Sequence, residues 1–181
     1  MSLTRIVTLY GVVAGLIVAV PMVSLMTTLT PGQAPDSGAV YGYLTMIVAL
    51  TAVFLGIKHY RDKVLGGAVR FVPALLVGLG ISAVASLLYV IGWEISLAYS
   101  GFDFPTSYSK SIVDAAGARG ASPEELQKMI ADTQQFVKNY ANPLYRLPIT
   151  FVEMFPVGVV ISLISAALLR NSRFLPARAQ T

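Results

Sequence analysis

Four long apolar stretches dominate the chain, and each is long enough to form a helix that crosses a membrane. They cover about residues 6–29, 41–57, 71–99 and 147–169. A helix needs about 20 apolar residues, within a range of about 17–25, to cross the hydrocarbon core of a bilayer. The pattern therefore predicts an all-α integral membrane protein, a four-helix bundle that forms a single membrane domain over residues 1–181.

Small residues recur at four-residue spacing inside the predicted spans. The sets are Gly11 and Gly15; Ala52 and Gly56; Gly78, Ser82 and Ser86; Gly158, Ser162 and Ala166. Such residues allow two helix backbones to approach closely within a membrane. We expect them to mediate packing between helices of the same chain.

The segment between the third and fourth stretches, residues 100–146, has a helical pattern of its own. Ser122-Pro123-Glu124-Glu125 is a capping-box sequence with proline at the first helical position. Apolar side chains then follow at helical spacing: Leu126, Met129, Ile130, Val137 and Tyr140. These features predict an amphipathic helix from about Pro123 to Tyr140, and a shorter one over 105–118. Because its polar face carries both signs of charge, we expect the longer helix to fold back over the outer mouth of the bundle.

The distribution of Lys and Arg predicts how the chain is threaded. One side of the predicted spans carries eight basic residues and one acidic residue, Asp62. The basic residues are Arg5, Lys58, Arg61, Lys63, Arg70, Arg170, Arg173 and Arg178. The other side has Asp36 and the 100–146 loop, in which five basic residues balance five acidic ones. Since Lys and Arg concentrate in cytoplasmic loops, both termini are predicted in the cytoplasm, with the 100–146 loop on the other side of the membrane. This distribution explains the net charge of +4 without a nucleic-acid partner.

Composition agrees with a membrane protein and argues against several kinds of chemistry. Charged residues make up 12% of the chain, against about 25% in soluble domains. The chain has no cysteine and one histidine, His59, so a thiolate metal site or a disulfide is excluded and a histidine-rich zinc site is not expected. No nucleophile elbow, P-loop, dinucleotide fingerprint or zinc-protease motif is present. We expect a non-enzymatic protein without a cofactor.

Glu153 is the first candidate functional residue. It lies about one helical turn inside the fourth span, where an unpaired carboxylate costs several kcal/mol. Pro156, one turn further on, removes a helical hydrogen bond and could leave a carbonyl free to bind a cation; a plain proline kink is the simpler interpretation. Thr150 lies near the outer edge of the lipid and completes this set of candidates.

Glu94, in the third span beside Trp93, is predicted at a similar depth to Glu153. Three arrangements are open. The two acids could face each other and share a proton, or one of them could pair with Arg146 or Lys138. Alternatively, Glu153 could be a structural hydrogen-bonding group and Glu94 simply hydrated.

A short charged segment after the second span is predicted at the cytoplasmic interface. Its residues are Lys58, His59, Tyr60, Arg61, Asp62 and Lys63. The basic side chains could contact anionic lipid, at about 1 kcal/mol each. Alternatively, they set the topology and form a local Arg61–Asp62 network, with His59 as an ordinary interface residue.

Several short sequence motifs resemble those of a family of small bacterial membrane proteins, the domain of unknown function 4199 family. They are Gly42-Tyr43-Leu44-Thr45-Met46; Gly56 to Gly67, with the word Lys58-His59-Tyr60-Arg61-Asp62-Lys63; Ala85-Ser86-Leu87-Leu88-Tyr89; Asn142-Pro143; and Thr150-Phe151-Val152-Glu153-Met154-Phe155-Pro156-Val157-Gly158. The resemblance implies a four-span membrane protein with a long outer loop between spans three and four. It implies no activity.

Three functions remain open from the sequence. The leading hypothesis is an inner-membrane accessory or interaction protein, whose residues 105–140 meet a protein partner or a second copy. The alternative is a small proton- or cation-coupled transporter that uses Glu153 and Glu94. A membrane-embedded enzyme ranks third.

Overall fold

The computed structural model describes residues 2–28, 38–101 and 103–177. Asp36 and Arg178, which contribute to the predicted threading, lie outside the described residues. The helices are α1 (Leu3–Thr28), α2 (Gly38–His59), α3 (Phe71–Tyr99), α4 (Phe104–Ala118), α5 (Pro123–Tyr140) and α6 (Pro143–Leu169), with a π-helical turn at Tyr60–Val64 that continues α2. The described part of the chain contains no strand, so the all-α prediction is confirmed.

Four of these helices, α1, α2, α3 and α6, are long and apolar enough to cross a membrane. Two of them differ in extent from the apolar stretches. With its π-helical turn, α2 continues to Val64, well beyond residue 57. Helix α6 begins at Pro143 instead of Leu147, because the Asn142 side chain accepts a hydrogen bond from the Leu144 amide and Pro143 suits the first helical position.

Helix α3 is the central element of the bundle. It packs along α1 on one side and along α6 on the other, while α2 packs against the same two helices. The buried core includes Ala14, Leu50, Ile81 and Met154, one residue from each of the four long helices. Two ends of the bundle are named here. The hairpin end is where α3 ends and α6 begins, and the terminal end is where α2 and α6 end.

The contact between α3 and α6 depends on a reciprocal pair of glycines. A methyl group at Gly78 would lie 2.7 Å from the Ser162 hydroxyl, and one at Gly158 would lie 2.6 Å from the Ser82 side chain. The two serines are themselves 3.3 Å apart, oxygen to oxygen. Small residues at four-residue spacing therefore do bring these two backbones together within the chain.

Helices α4 and α5 form a hairpin, the outer hairpin, that packs mainly against itself. The capping box of α5 is complete. The Ser122 hydroxyl accepts from the Glu125 amide at 3.2 Å, and the Glu125 carboxylate accepts from the Ser122 amide at 2.9 Å. These bonds lower the pKa of Glu125. Gly120, with φ of +79°, forms the turn after α4.

The placement of α5 corrects one prediction. The helix has the predicted bounds, but it does not lie across the mouth of the bundle. It pairs with α4 along its length, and it meets the spans chiefly where it leads into α6 and through Tyr140 in its last turn. The sequence could not distinguish these placements because the apolar face of α5 suits a helix of the hairpin as well as it suits the bundle.

The α3–α6 contact gives a testable prediction. We expect Gly158→Ala to lower stability by about 1–3 kcal/mol, because the added methyl group overpacks a contact with no free space. Gly42→Ala is the matched control, since Gly42 is also helical and has no atom within 4 Å of its added methyl group. The control should be neutral or stabilising by up to about 1 kcal/mol. Thermal unfolding in detergent measures both, and equal effects would contradict the reciprocal packing.

Candidate functional site

Arg61 is the most buried charged side chain among the described residues, with no exposed surface at all. Its Nε donates to the Asp62 carboxylate at 2.6 Å. Its Nη1 donates to the Phe174 carbonyl at 2.9 Å, and Nη2 donates to the Leu175 carbonyl. A buried charge is tolerated only when it is paired and hydrogen-bonded. Arg61 therefore ties residues 170–177, here called the C-terminal segment, to the end of α2.

The residues beside Arg61 extend this network. Lys58 also forms an ion pair with Asp62, so the Asp62 carboxylate is paired with both Lys58 and Arg61. On the same turn, the His59 Nδ1 lies 3.0 Å from the hydroxyl of Tyr10 in α1. Lys63, in contrast, is exposed. Of the two interpretations of the 58–63 segment, the local Arg61–Asp62 network is the one for which the structure shows contacts.

Glu94 and Arg146 form a two-bond ion pair at the hairpin end. Arg146 Nε lies 2.7 Å and Nη2 lies 2.6 Å from the two carboxylate oxygens of Glu94. Arg146 Nη1 donates to the Tyr140 carbonyl at 3.3 Å. The interpretation of Glu94 as simply hydrated is therefore wrong, and of the alternatives left open, pairing with Arg146 is the one observed. The pair links α3, the start of α6 and the last turn of α5.

Five aromatic side chains, here called the aromatic cluster, join the base of the outer hairpin to α3. The cluster comprises Trp93, Phe104, Tyr108, Phe136 and Tyr140. The Trp93 Nε1 donates to the Tyr140 hydroxyl at 2.7 Å. The Trp93 and Phe104 rings meet edge to face, with centroids 4.9 Å apart. Burial raises the pKa of Tyr140.

Sequence reasoning missed the aromatic cluster, although a signal for it was present. Phe104 and Tyr108 are four residues apart on α4, and Phe136 and Tyr140 are four residues apart on α5. Such spacing places each pair on one helix face. An aromatic face on each helix of a predicted hairpin indicates that the two faces meet.

Glu153 lies one to two turns along α6 from the Glu94–Arg146 pair, on the side of the bundle. Its carboxylate accepts a hydrogen bond from the Tyr89 hydroxyl at 3.0 Å. Tyr89 is buried, whereas Glu153 is exposed. Among the described residues no Lys or Arg lies within salt-bridge distance of Glu153. The acid is thus hydrogen-bonded but has no countercharge.

The remaining intramembrane candidates are placed as follows. Thr150 is buried, and its hydroxyl donates to the Arg146 carbonyl at 3.0 Å, next to Tyr140. Pro156 is exposed, and α6 continues through it from Pro143 to Leu169. No group of three or more Asp, Glu or His side chains in the described ranges is placed to hold a metal ion.

Four apolar helices of membrane-spanning length, packed against one another, define a multi-pass helical membrane protein. The chain belongs to the family described as protein of unknown function (DUF4199), whose model matches residues 9–171. This confirms the resemblance found in the sequence, and the matched range includes Arg61, the outer hairpin and Glu153. No curated protein and no solved structure gives a significant match to the chain.

The Arg61 network gives a second prediction. We expect Arg61→Gln to lower stability by about 3–5 kcal/mol, because it leaves Asp62 and the carbonyls of the C-terminal segment without their buried donor. Lys63→Gln is the control, as it removes a charge from the same turn at an exposed site, and it should change stability by less than about 0.5 kcal/mol. Thermal unfolding in detergent distinguishes them. A silent Arg61→Gln would show that the network is not structural.

Proposed function

We propose that this is a non-enzymatic inner-membrane protein that acts by protein contact, and that residues 105–140 of the outer hairpin form the contact surface. One observation carries the proposal. The hairpin packs against itself, and its base is fixed to α3 and α6 by the aromatic cluster and the neighbouring Glu94–Arg146 pair. A hairpin of this kind contributes little to holding the spans together. Its fixed placement is what a docking element requires.

The chemistry of the hairpin surface favours a protein partner. On α5 the apolar side chains Leu126, Met129 and Val137 are half-buried, whereas Ile130, Gln127 and Gln134 are exposed. At the tip, a shallow depression is lined by both signs of charge, including Arg119, Lys128, Glu125 and Asp132. Mixed charge of this kind suits a protein surface better than a phosphate-rich nucleic acid or an anionic lipid layer.

The distribution of charge supports the proposed orientation. The terminal end carries the exposed residues Arg5, Lys63, Arg70, Arg170 and Arg173. Asp62, the one acid near this end among the described residues, is paired with Arg61 and Lys58. Excess basic charge favours the cytoplasmic side. We therefore place the terminal end in the cytoplasm and the outer hairpin beyond the membrane.

A transporter is the second candidate, and one observation favours it. Glu153 has no countercharge within the described residues, as expected of a group that binds and releases a cation. Two observations favour the contact protein instead. The first is that Glu94 is ion-paired with Arg146. The second is that α6 is continuous, whereas transporter sites are typically built on interrupted helices.

Site-specific photo-crosslinking in cells tests the contact function. A photoreactive residue at Gln127 or Gln134, both exposed on α5, should give a discrete crosslinked protein, and a product of twice the 19.3 kDa chain mass would identify a second copy. Leu16 and Leu76 are matched controls, because they are exposed on α1 and α3 within the spans. We expect no discrete product from them. Discrete products from the controls but none from the hairpin would refute the proposal.

A further inference from the structure

Three exposed arginines at the terminal end have no ion-pair partner among the described residues. Arg70 directly precedes α3, Arg170 directly follows α6, and Arg173 lies in the C-terminal segment. The acid near this end, Asp62, cannot neutralise them, because its carboxylate is already paired with two other basic residues. These three residues, here called the arginine cluster, therefore form a concentration of positive charge that no described acid balances.

The packing of α3 against α6 places two members of the cluster at the same level. The helices are antiparallel, and Gly78 faces Ser162 in their contact. Arg70 comes eight residues before Gly78, and Arg170 comes eight residues after Ser162. Since both helices rise by about 1.5 Å per residue, these two arginines lie equally far from the contact, at the same end of neighbouring helices.

The C-terminal segment brings the third arginine to this end. Arg61 bonds two carbonyls of the segment and so fixes it against the end of α2. The segment also lies beside the turn that leads into α3, because a methyl group added to Gly67 would be 3.5 Å from the Ala177 side chain. Arg61 is fully buried, so it is a positioning residue that holds the segment carrying Arg173 and is not itself open to a ligand.

The surface around the cluster indicates what kind of anion it suits. Like charges repel, and guanidinium groups bind phosphate oxygens in a two-bond geometry, so a phosphate is the expected partner. Apolar side chains are exposed beside these arginines: Val72 is 61% exposed, Leu175 is 49% exposed and Phe174 is 36% exposed. Cations and apolar side chains side by side suit the boundary between lipid headgroups and acyl chains. A soluble anion would leave the apolar groups in water.

We propose that Arg70, Arg170 and Arg173 bind the phosphate-bearing headgroup of an anionic phospholipid. The cluster lies where spans end, which is the level at which basic residues attract anionic lipid. The 58–63 segment supports this site without forming it, since its buried arginine is bonded to protein groups. The proposal goes beyond the contact function of the outer hairpin, which lies at the opposite end of the bundle, so either can fail alone.

Native mass spectrometry of the full-length protein, titrated with lipid in detergent, measures this binding directly. The probe is phosphatidylglycerol. It is compared with phosphatidylcholine of the same acyl chains, which has no net charge, and with glycerophosphoglycerol, the same headgroup without chains. We expect phosphatidylglycerol to bind at least about tenfold more tightly than either.

Substitutions in the cluster test which residues hold the lipid. Arg170→Gln and Arg173→Gln should each weaken phosphatidylglycerol binding about fivefold, and Arg70→Gln combined with Arg170→Gln about twentyfold. Lys110→Gln is the matched control, because it removes one positive charge from an exposed site on α4, and it should leave binding unchanged. The substituted arginines are exposed and unpaired, so thermal unfolding in detergent without added lipid should not change.

Three results would overturn the proposal. The first is equal affinity for phosphatidylglycerol and phosphatidylcholine. The second is binding of glycerophosphoglycerol as tight as that of the lipid, which would identify a soluble anion as the partner. The third is an affinity no lower in Arg170→Gln and Arg173→Gln than in Lys110→Gln, which would show that net charge and not the cluster attracts the lipid.

Discussion

Helices in a lipid bilayer cannot be held together by the hydrophobic effect, because lipid tails are as apolar as leucine, so close backbone packing has to replace it. In this protein the decisive contact is the reciprocal one between α3 and α6, where Gly78 faces Ser162 and Gly158 faces Ser82. The contact fixes both the separation and the register of these helices. In this register each glycine leaves room for the serine that faces it, because a methyl group added to either glycine would lie within 3 Å of that serine.

The polar groups at the hairpin end depend on that register. Glu94 and Tyr89 belong to α3, and their partners Arg146 and Glu153 belong to α6. Each pair needs its two helices in one relative position, since the bonds are 3.0 Å or shorter. The small-residue contact between α3 and α6 therefore determines whether the Glu94–Arg146 and Tyr89–Glu153 pairs can form.

Arginine joins the non-spanning parts to the bundle at both ends. Arg61 binds two carbonyls of the C-terminal segment while pairing with Asp62, and Arg146 binds carbonyls at the end of α5 while pairing with Glu94. The planar guanidinium offers five donors in a fixed geometry, which lysine cannot match. Arg61 is fully buried and Arg146 is not, so the terminal network should contribute more to stability than the outer one.

Much of this architecture could be predicted from the sequence, and the parts that could not share a physical cause. Apolar length located the spans, and the Ser122–Glu125 capping box located α5. The partners of Glu94 and Glu153 and the burial of Arg61 depend on how each helix is rotated about its axis. Because the spans are apolar on nearly every face, the sequence contains little information on rotation. Arg61 also stands in a charged run, which is typical of a solvated surface.

The central claim is that the outer hairpin is held in a fixed position relative to the bundle. Since the chain has no cysteine, spin labels can be placed at two introduced cysteines, Gln127→Cys on α5 and Leu87→Cys on α3, both exposed. Pulsed electron spin resonance in nanodiscs then measures the distribution of distances between the labels. A single narrow distribution is predicted. A broad or multiply peaked distribution would contradict the account, because it would show a hairpin that moves freely on the bundle.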